Sequence, residues 1–428
     1  MTSRRLVRGT AAIAAGALIW GVAAPVASAD QIRDQQWALK AFEAETKVWP
    51  TSQGDGVVVA VVDTGVNQNQ PDLTGQVLPG GDFSGGNTDG RVDSDGHGTG
   101  MASLIAGHGH GSQEGIMGLA PKAKILPVKI KSGGDGPDSQ STVDPQSTPD
   151  PQQNDLADAI RFAADRGAKV VNISLGGYSR FDTKLRKAVS YAVSKDIVVV
   201  ASSGNSGSGL GVEYPAALPG VVAVGAVDSS GVVWERSSEG AETTLAAPGV
   251  GIYRSALKSS TGYERRNGTS DSTAYVSATA ALIRSKYPDL SAGQVINRMI
   301  KSATRPAGAA TLPDSRYGYG IVAPAKALEA NPAVDNGPRE NPLIGRMEAK
   351  GTPPPVDEET EEPSVEPMVP EGDSAGDNRS LVLWVRVGLV GLLAGVVALV
   401  VALVVRGRRR RRAAGGGYPQ PPYGGTGQ

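Results

Sequence analysis

The chain has 428 residues, no cysteine, three histidines and 42 basic against 43 acidic side chains. These counts exclude a disulfide framework, a thiol nucleophile and a cysteine metal site, and they restrict any imidazole chemistry to His97, His108 or His110. A formal net charge of -1 argues against a broadly basic nucleic-acid binder.

Residues 1–29 read as an export signal. Arg4, Arg5 and Arg8 form a positive flank, an apolar stretch of small residues follows, and Ala27-Ser28-Ala29 is the small-x-small pattern of a signal-peptidase site. Residues 30–53 then form a short extension. Its stretch from Gln35 to Trp49 has an amphipathic pattern suited to packing on a domain.

Residues 54–330 carry the pattern of one folded domain. Val57-Val58-Val59-Ala60-Val61-Val62 is a continuous apolar run rich in β-branched residues, as expected of a strand buried on both faces. Similar runs occupy residues 125–130, 169–174, 197–201 and 221–227. Apolar and small residues at helical spacing predict a helix over residues 154–166, closed by Gly167, and more weakly another over 185–195. Strands alternating with helices predict an α/β fold, a mainly parallel sheet with helices on both faces. Such sheets gather their sites at the carboxyl ends of the strands. Residues 131–153, filled with Gly, Pro, Asp, Ser and Gln, break the pattern and read as a flexible surface insertion.

Within the domain, Asp63 follows the first buried strand and precedes Thr64-Gly65, where it is either a site residue or an ordinary turn former. His97 lies in Asp95-Gly96-His97-Gly98-Thr99, and the small residues after it predict a tightly packed helix. His108 and His110 form an H-x-H among glycines and read as an exposed loop. Ser270, in Asn267-Gly268-Thr269-Ser270, opens an alanine-rich helix predicted over residues 271–287. A hydroxyl there meets free backbone N–H groups and the positive end of the helix dipole, although serine is also a common N-cap.

Past the domain, residues 331–380 combine Pro353-Pro354-Pro355 with an acidic run from Asp357 to Glu362 and read as an extended linker. The segment 381–405 contains 19 consecutive uncharged residues, 387–405. At ~1.5 Å per residue that is about enough to cross a ~30 Å hydrocarbon core. Arg406 and Arg408 to Arg412 follow directly, which places the 406–428 tail in the cytoplasm and the domain outside. The expectation is a single-pass bacterial membrane protein seated in a lipid bilayer.

Asp63, His97 and Ser270, in that order and separated by 34 and 173 residues, with these flanks, resemble the catalytic triad of the subtilisin-like serine proteases, the subtilases. Two further segments support the resemblance. Val198 to Asn205 matches the strand that ends in the oxyanion-binding asparagine, a role that maps onto Asn205. Asn172 to Gly177 resembles the edge segment that pairs with an extended substrate. The resemblance implies a polypeptide substrate, a serine endopeptidase mechanism and substrate contacts at Ser174, Leu175, Gly176, Ser203 and Gly204. The resemblance leaves calcium, which subtilases often bind, open as a cofactor; no Asp cluster of convincing ligand spacing supports it, so the expected cofactor is none.

The chain departs from the family at Asp271, Ala274 and Ala278, where an apolar or small residue, a proline and a glycine are usual. An acid beside the nucleophile either favours the helix start, repels an oxyanion, or selects basic substrates. The short N-terminal extension, the insertion, the acidic linker and the C-terminal anchor together resemble the mycosins, membrane-anchored subtilases of type VII secretion systems. Mycosins often carry a disulfide that this chain cannot form. That resemblance implies a partner, the secretion membrane complex. It also admits the alternatives of a structural subunit with little activity or a general surface subtilase.

Overall fold

A computed structural model describes residues 32–111, 114–131, 154–257, 262–307 and 311–346. The signal segment 1–29, insertion residues 132–153, the membrane segment 381–405 and the basic tail lie outside the described residues. Among those described, no helix is long and apolar enough to cross a membrane.

The described residues begin with a helical turn at 32–34, followed by α1 (Trp37–Ala41) and a π-helical turn, Ala44–Val48. There follow β1 (Val58–Asp63), β2 (Gly81–Asp82), α2 (His97–Ala106), β3 (His108–His110), β4 (Glu114–Met117) and β5 (Lys124–Lys129). After these come α3 (Asn154–Asp165), β6 (Val170–Ile173), α4 (Thr183–Ser194), β7 (Val198–Ser202), β8 (Val222–Val227) and β9 (Thr243–Pro248). The hairpin strands β10 (Ile252–Ser255) and β11 (Tyr263–Arg266) precede α5 (Thr269–Lys286) and α6 (Ala292–Ser302).

Seven strands form the central sheet in the order β2-β5-β1-β6-β7-β8-β9, and every neighbouring pair is parallel. The strands are apolar throughout because both faces are covered. Val59 and Val61 of β1 face one core with α2, α5 and α6, whereas Ala60 and Val62 face the other with α3 and α4. The same alternation splits Val198 and Val200 from Val199 and Ala201 on β7.

The helix expected over 271–287 begins at Thr269 and runs unbroken through Ala274, where the family usually has proline. It is buried on every side from Thr269 to Arg284. Its hydroxyls are compatible with that burial because they find acceptors: Thr273 Oγ1 donates to Thr269 O, Thr279 Oγ1 to Tyr275 O, and Ser272 Oγ to Ala247 O. The N-terminal extension lies on the same side of the sheet. Leu39, Phe42, Ala44 and Val48 enter that core, Gln36 exchanges two hydrogen bonds with the Met117 backbone, and the Trp49 indole donates to Leu119 O.

Packing continues past residue 330. Arg298, 1 % exposed, binds Asp335 and the carbonyls of Ala327 and Glu329, while Leu343 and Asn341 are buried. His108 and His110 do not form a loop. They make a short antiparallel ladder with β4, and His110 Nδ1 lies 2.5 Å from the buried Asp72.

Candidate active site

Three adjacent strands of the sheet, β1, β6 and β7, end side by side, and each delivers a site residue or its partner. Asp63 is the last residue of β1 and is fully buried. Its two carboxylate oxygens lie 2.8 and 3.0 Å from His97 Nδ1, and one also accepts the Thr64 N–H. A carboxylate on Nδ1 fixes the imidazole's orientation and leaves Nε2 directed away from it.

His97 stands at the first position of α2. Asp93, which the sequence reading did not single out, anchors that helix start. Its carboxylate accepts from the Asp95, Gly96 and Thr99 N–H groups and from the Thr64 and Thr99 hydroxyls. An anion on the free N–H groups of a helix start is stabilising. Gly98 permits the close approach of α2 to β1, since a Cβ there would stand 2.2 Å from Gly65 O and 3.0 Å from Asp63 Cβ. The sequence signal for Asp93 was its place four residues before the histidine, just ahead of the predicted helix.

Ser270 occupies the second position of α5 and is 8 % exposed. Its hydroxyl donates to Ser174 O at 3.0 Å, and the Ser174 hydroxyl donates back to Ser270 O at 3.0 Å. Ser174 directly follows β6, so this reciprocal pair pins the start of α5 to the substrate-side end of that strand. Helices α2 and α5 pack against one another, which brings both N-termini to the same edge of the sheet.

Asn205 follows β7. Its Oδ1 accepts from the Thr269 N–H at 3.0 Å and from the Thr269 hydroxyl at 2.9 Å. A backbone N–H can only donate, so the amide oxygen must face Thr269 and the NH2 group must face the other way. Thr269 therefore sets the direction in which Asn205 donates. The predicted substrate contacts, Ser174, Leu175, Gly176, Ser203 and Gly204, line the ends of β6 and β7 on either side of Ser270.

Asp271 is 1 % exposed and bound by Arg254 Nη1 at 3.2 Å, and Arg254 Nε is 3.0 Å from Glu264. Arg254 and Glu264 are directly paired across the β10–β11 hairpin. Burial pushes the Asp271 carboxyl above the usual range, and Arg254, then His97, pull it only part of the way back. Burial also works against the charge on Arg254, but Asp271 and Glu264 outweigh it and raise that pKa. Burial likewise pushes Glu264 up, yet Arg266 and Arg254 reverse this and leave it lowered. The acid beside the nucleophile is thus one end of an ionic network that runs through Arg254 to Glu264 and on to Arg266. The sequence carried no signal for it, because Arg254 lies 17 residues upstream on a separate hairpin.

Among the described residues, no group of three acidic or imidazole side chains is arranged to hold a metal ion.

Comparison with known proteins adds sequence and structural relatives. The sequence model of the subtilase family matches residues 54–320. Subtilisin DY of Bacillus licheniformis is 39% identical over 275 residues, covering 63% of this chain and 90% of its own. Thermitase of Thermoactinomyces vulgaris is 37% identical over 241 residues, covering 56% of this chain and 79% of its own. Among solved structures, MycP1 from Mycobacterium smegmatis aligns with a TM-score of 0.62 at 29% identity, covering 76% of this chain and 91% of that one. The MycP3 protease from the type VII (ESX-3) secretion system aligns with a TM-score of 0.59 at 33% identity, covering 72% and 90%.

Proposed function

The chain belongs to the subtilase family of serine endopeptidases, and we propose that it cleaves polypeptides through Asp63, His97 and Ser270 on the outer face of a bacterial membrane. A serine hydroxyl is a weak nucleophile near neutral pH and needs a base within hydrogen-bond reach. In this reading the Ser270 hydroxyl turns from Ser174 O toward His97 Nε2 and attacks the scissile carbonyl carbon. His97 takes the hydroxyl proton and then gives it to the leaving amine. Asp63, on the opposite ring nitrogen, holds the tautomer and stabilises the imidazolium. The Asn205 NH2 and the Ser270 backbone N–H stabilise the tetrahedral oxyanion. Water then hydrolyses the acyl-enzyme with His97 again as base. Substrate lies extended along Ser174-Leu175-Gly176 and Ser203-Gly204, its main chain completing the hydrogen bonding of those segments.

The observation that carries this reading is the Asp63–His97 contact of 2.8 and 3.0 Å at the end of β1, with Ser270 and Asn205 held at the ends of the strands beside it. The feature that would favour a purely structural subunit, the acid at Asp271, has its charge matched by Arg254. A fluorophosphonate probe is expected to label wild-type protein at Ser270. Ser270→Ala should lose labelling and hydrolysis while keeping its far-UV circular dichroism spectrum. Undiminished peptidase activity in Ser270→Ala would exclude the assignment.

Membrane anchoring by residues 381–405 and a place in a type VII secretion complex belong to the same proposal. The apolar 387–405 run with its arginine flank supports the first. The structural likeness to mycosins, one of them described as a protease of a type VII system, supports the second.

A further inference from the structure

Asp271 is a buried acid that the reaction above does not use, although it directly follows the nucleophile. Its Oδ1 is held by Arg254 Nη1 at 3.2 Å. A Cβ built on Gly268 would lie 3.8 Å from Asp271 Oδ2 and 3.9 Å from Ser270 Cβ, so the second carboxylate oxygen and the nucleophile flank the same glycine.

Arg254 reaches Asp271 from the helix that carries the base. A Cβ on Gly100 would stand 2.8 Å from Arg254 Cδ and 3.1 Å from its Nε. Gly100 is three residues after His97 and therefore its neighbour on one face of α2. The next residue of β10, Ser255, donates its N–H to Ser103 Oγ at 3.1 Å, which fixes the strand along that face. Arg254 thus crosses α2 one turn beyond the imidazole and ends on the acid beside Ser270. Burial raises the Asp271 carboxyl above its usual range, and of the groups that offset this Arg254 comes first and His97 second.

We propose that Asp271 is a positioning residue for catalysis, a second carboxylate that stabilises the His97 imidazolium from the side opposite Asp63, with Arg254 holding it ionised and in place. This rests on the protease reading above. The other charged groups around His97 are committed elsewhere. Asp93 and Asp95 cap the start of α2, with Asp95 accepting the His97 N–H at 3.2 Å. On β11, Glu264 binds Arg254 and Arg266, and Tyr263 binds Asp72. On β5, Lys129 donates to Val92 O and Lys124 to Gly75 O. Asp72 of the 3-10 turn Pro71–Leu73 and Glu114 of β4 face His110. Asp63 and Asp271 are left as the anions on the imidazole, and Arg254 as the cation behind one of them.

The rate at which a fluorophosphonate labels Ser270 in the full chain in detergent, followed against pH, reads the protonation of His97 without any substrate. Removing an anion makes the imidazolium less stable, so the base stays neutral to lower pH. Asp271→Asn is therefore expected to move the acid limb of the profile down by about half a pH unit or more, and to lower the plateau because the base is weaker. Glu264 still pairs Arg254 in that variant, and thermal unfolding checks that it folds. Should it not fold, Asp271→Met, apolar as the family usually is there, carries the same expectation. A lower plateau with the acid limb unmoved, or moved up, would make Asp271 merely structural and overturn the proposal while the protease stands. Wild-type protein that labels at no pH would overturn both.

Discussion

Asp271 illustrates how a single residue's meaning depends on its partner. Alone, a fully buried carboxyl one position after the nucleophile would place repulsion beside the developing oxyanion. Bound to Arg254, which Glu264 also holds, it becomes part of a compact ionic group behind α5. Removing one member of a buried pair strands the other charge and typically costs about 3–5 kcal/mol. Arg254→Met is therefore expected to lower unfolding free energy by about that amount in urea titration. The double variant Arg254→Met with Asp271→Leu should recover most of the loss. Equal destabilisation of the single and double variants would contradict the pairing. Asn205 makes a second residue-scale case. Its amide is aimed by Thr269 rather than by the strand, so Asn205→Ala should reduce kcat by about 10²–10³ with KM little changed, the usual effect of deleting one oxyanion donor.

Among the elements, α5 decides most. It carries Ser270 at its start, is enclosed by the sheet, α2 and the N-terminal extension, and has no exposed face over its first sixteen residues, Thr269 to Arg284. A helix so enclosed is positioned by everything that touches it. Phe42 in the extension packs edge-on against Tyr275, with ring centroids 5.5 Å apart, a little over one turn beyond Ser270. Phe42→Ala is expected to cost about 3–5 kcal/mol, read from urea unfolding, because the cavity forms against a fully buried helix. A loss below about 1 kcal/mol would mean that the extension only decorates the domain. Buried strands and amphipathic helices were legible in the sequence because periodicity encodes burial. The strand β9 (Thr-Thr-Leu-Ala-Ala-Pro) and the polar β10–β11 hairpin were not, because pairing with neighbours, rather than their own composition, defines them.

For the whole molecule, the domain has no cysteine and hence no disulfide to rely on, so stability rests on two apolar cores on opposite faces of one sheet, clamped at the C-terminal side by Arg298. If residues 381–405 anchor it, the full chain should remain in the membrane pellet through alkaline carbonate extraction, and a chain ending at residue 380 should be released. Recovery of the full chain in the soluble fraction would refute the anchor. The sequence by itself determined the fold class, because strand burial leaves a local pattern that a single chain displays; it offered Asp63, His97 and Ser270 as candidates by their flanks, and Asn205 only through the resemblance to the subtilases. Only the tertiary structure decided what surrounds them: Asp93 at the start of α2, Arg254 on Asp271, and Thr269 aiming Asn205. Apart from Asp93, which lies four residues before His97, those partners are brought together by strand order and helix packing, so their spacing along the chain does not announce them.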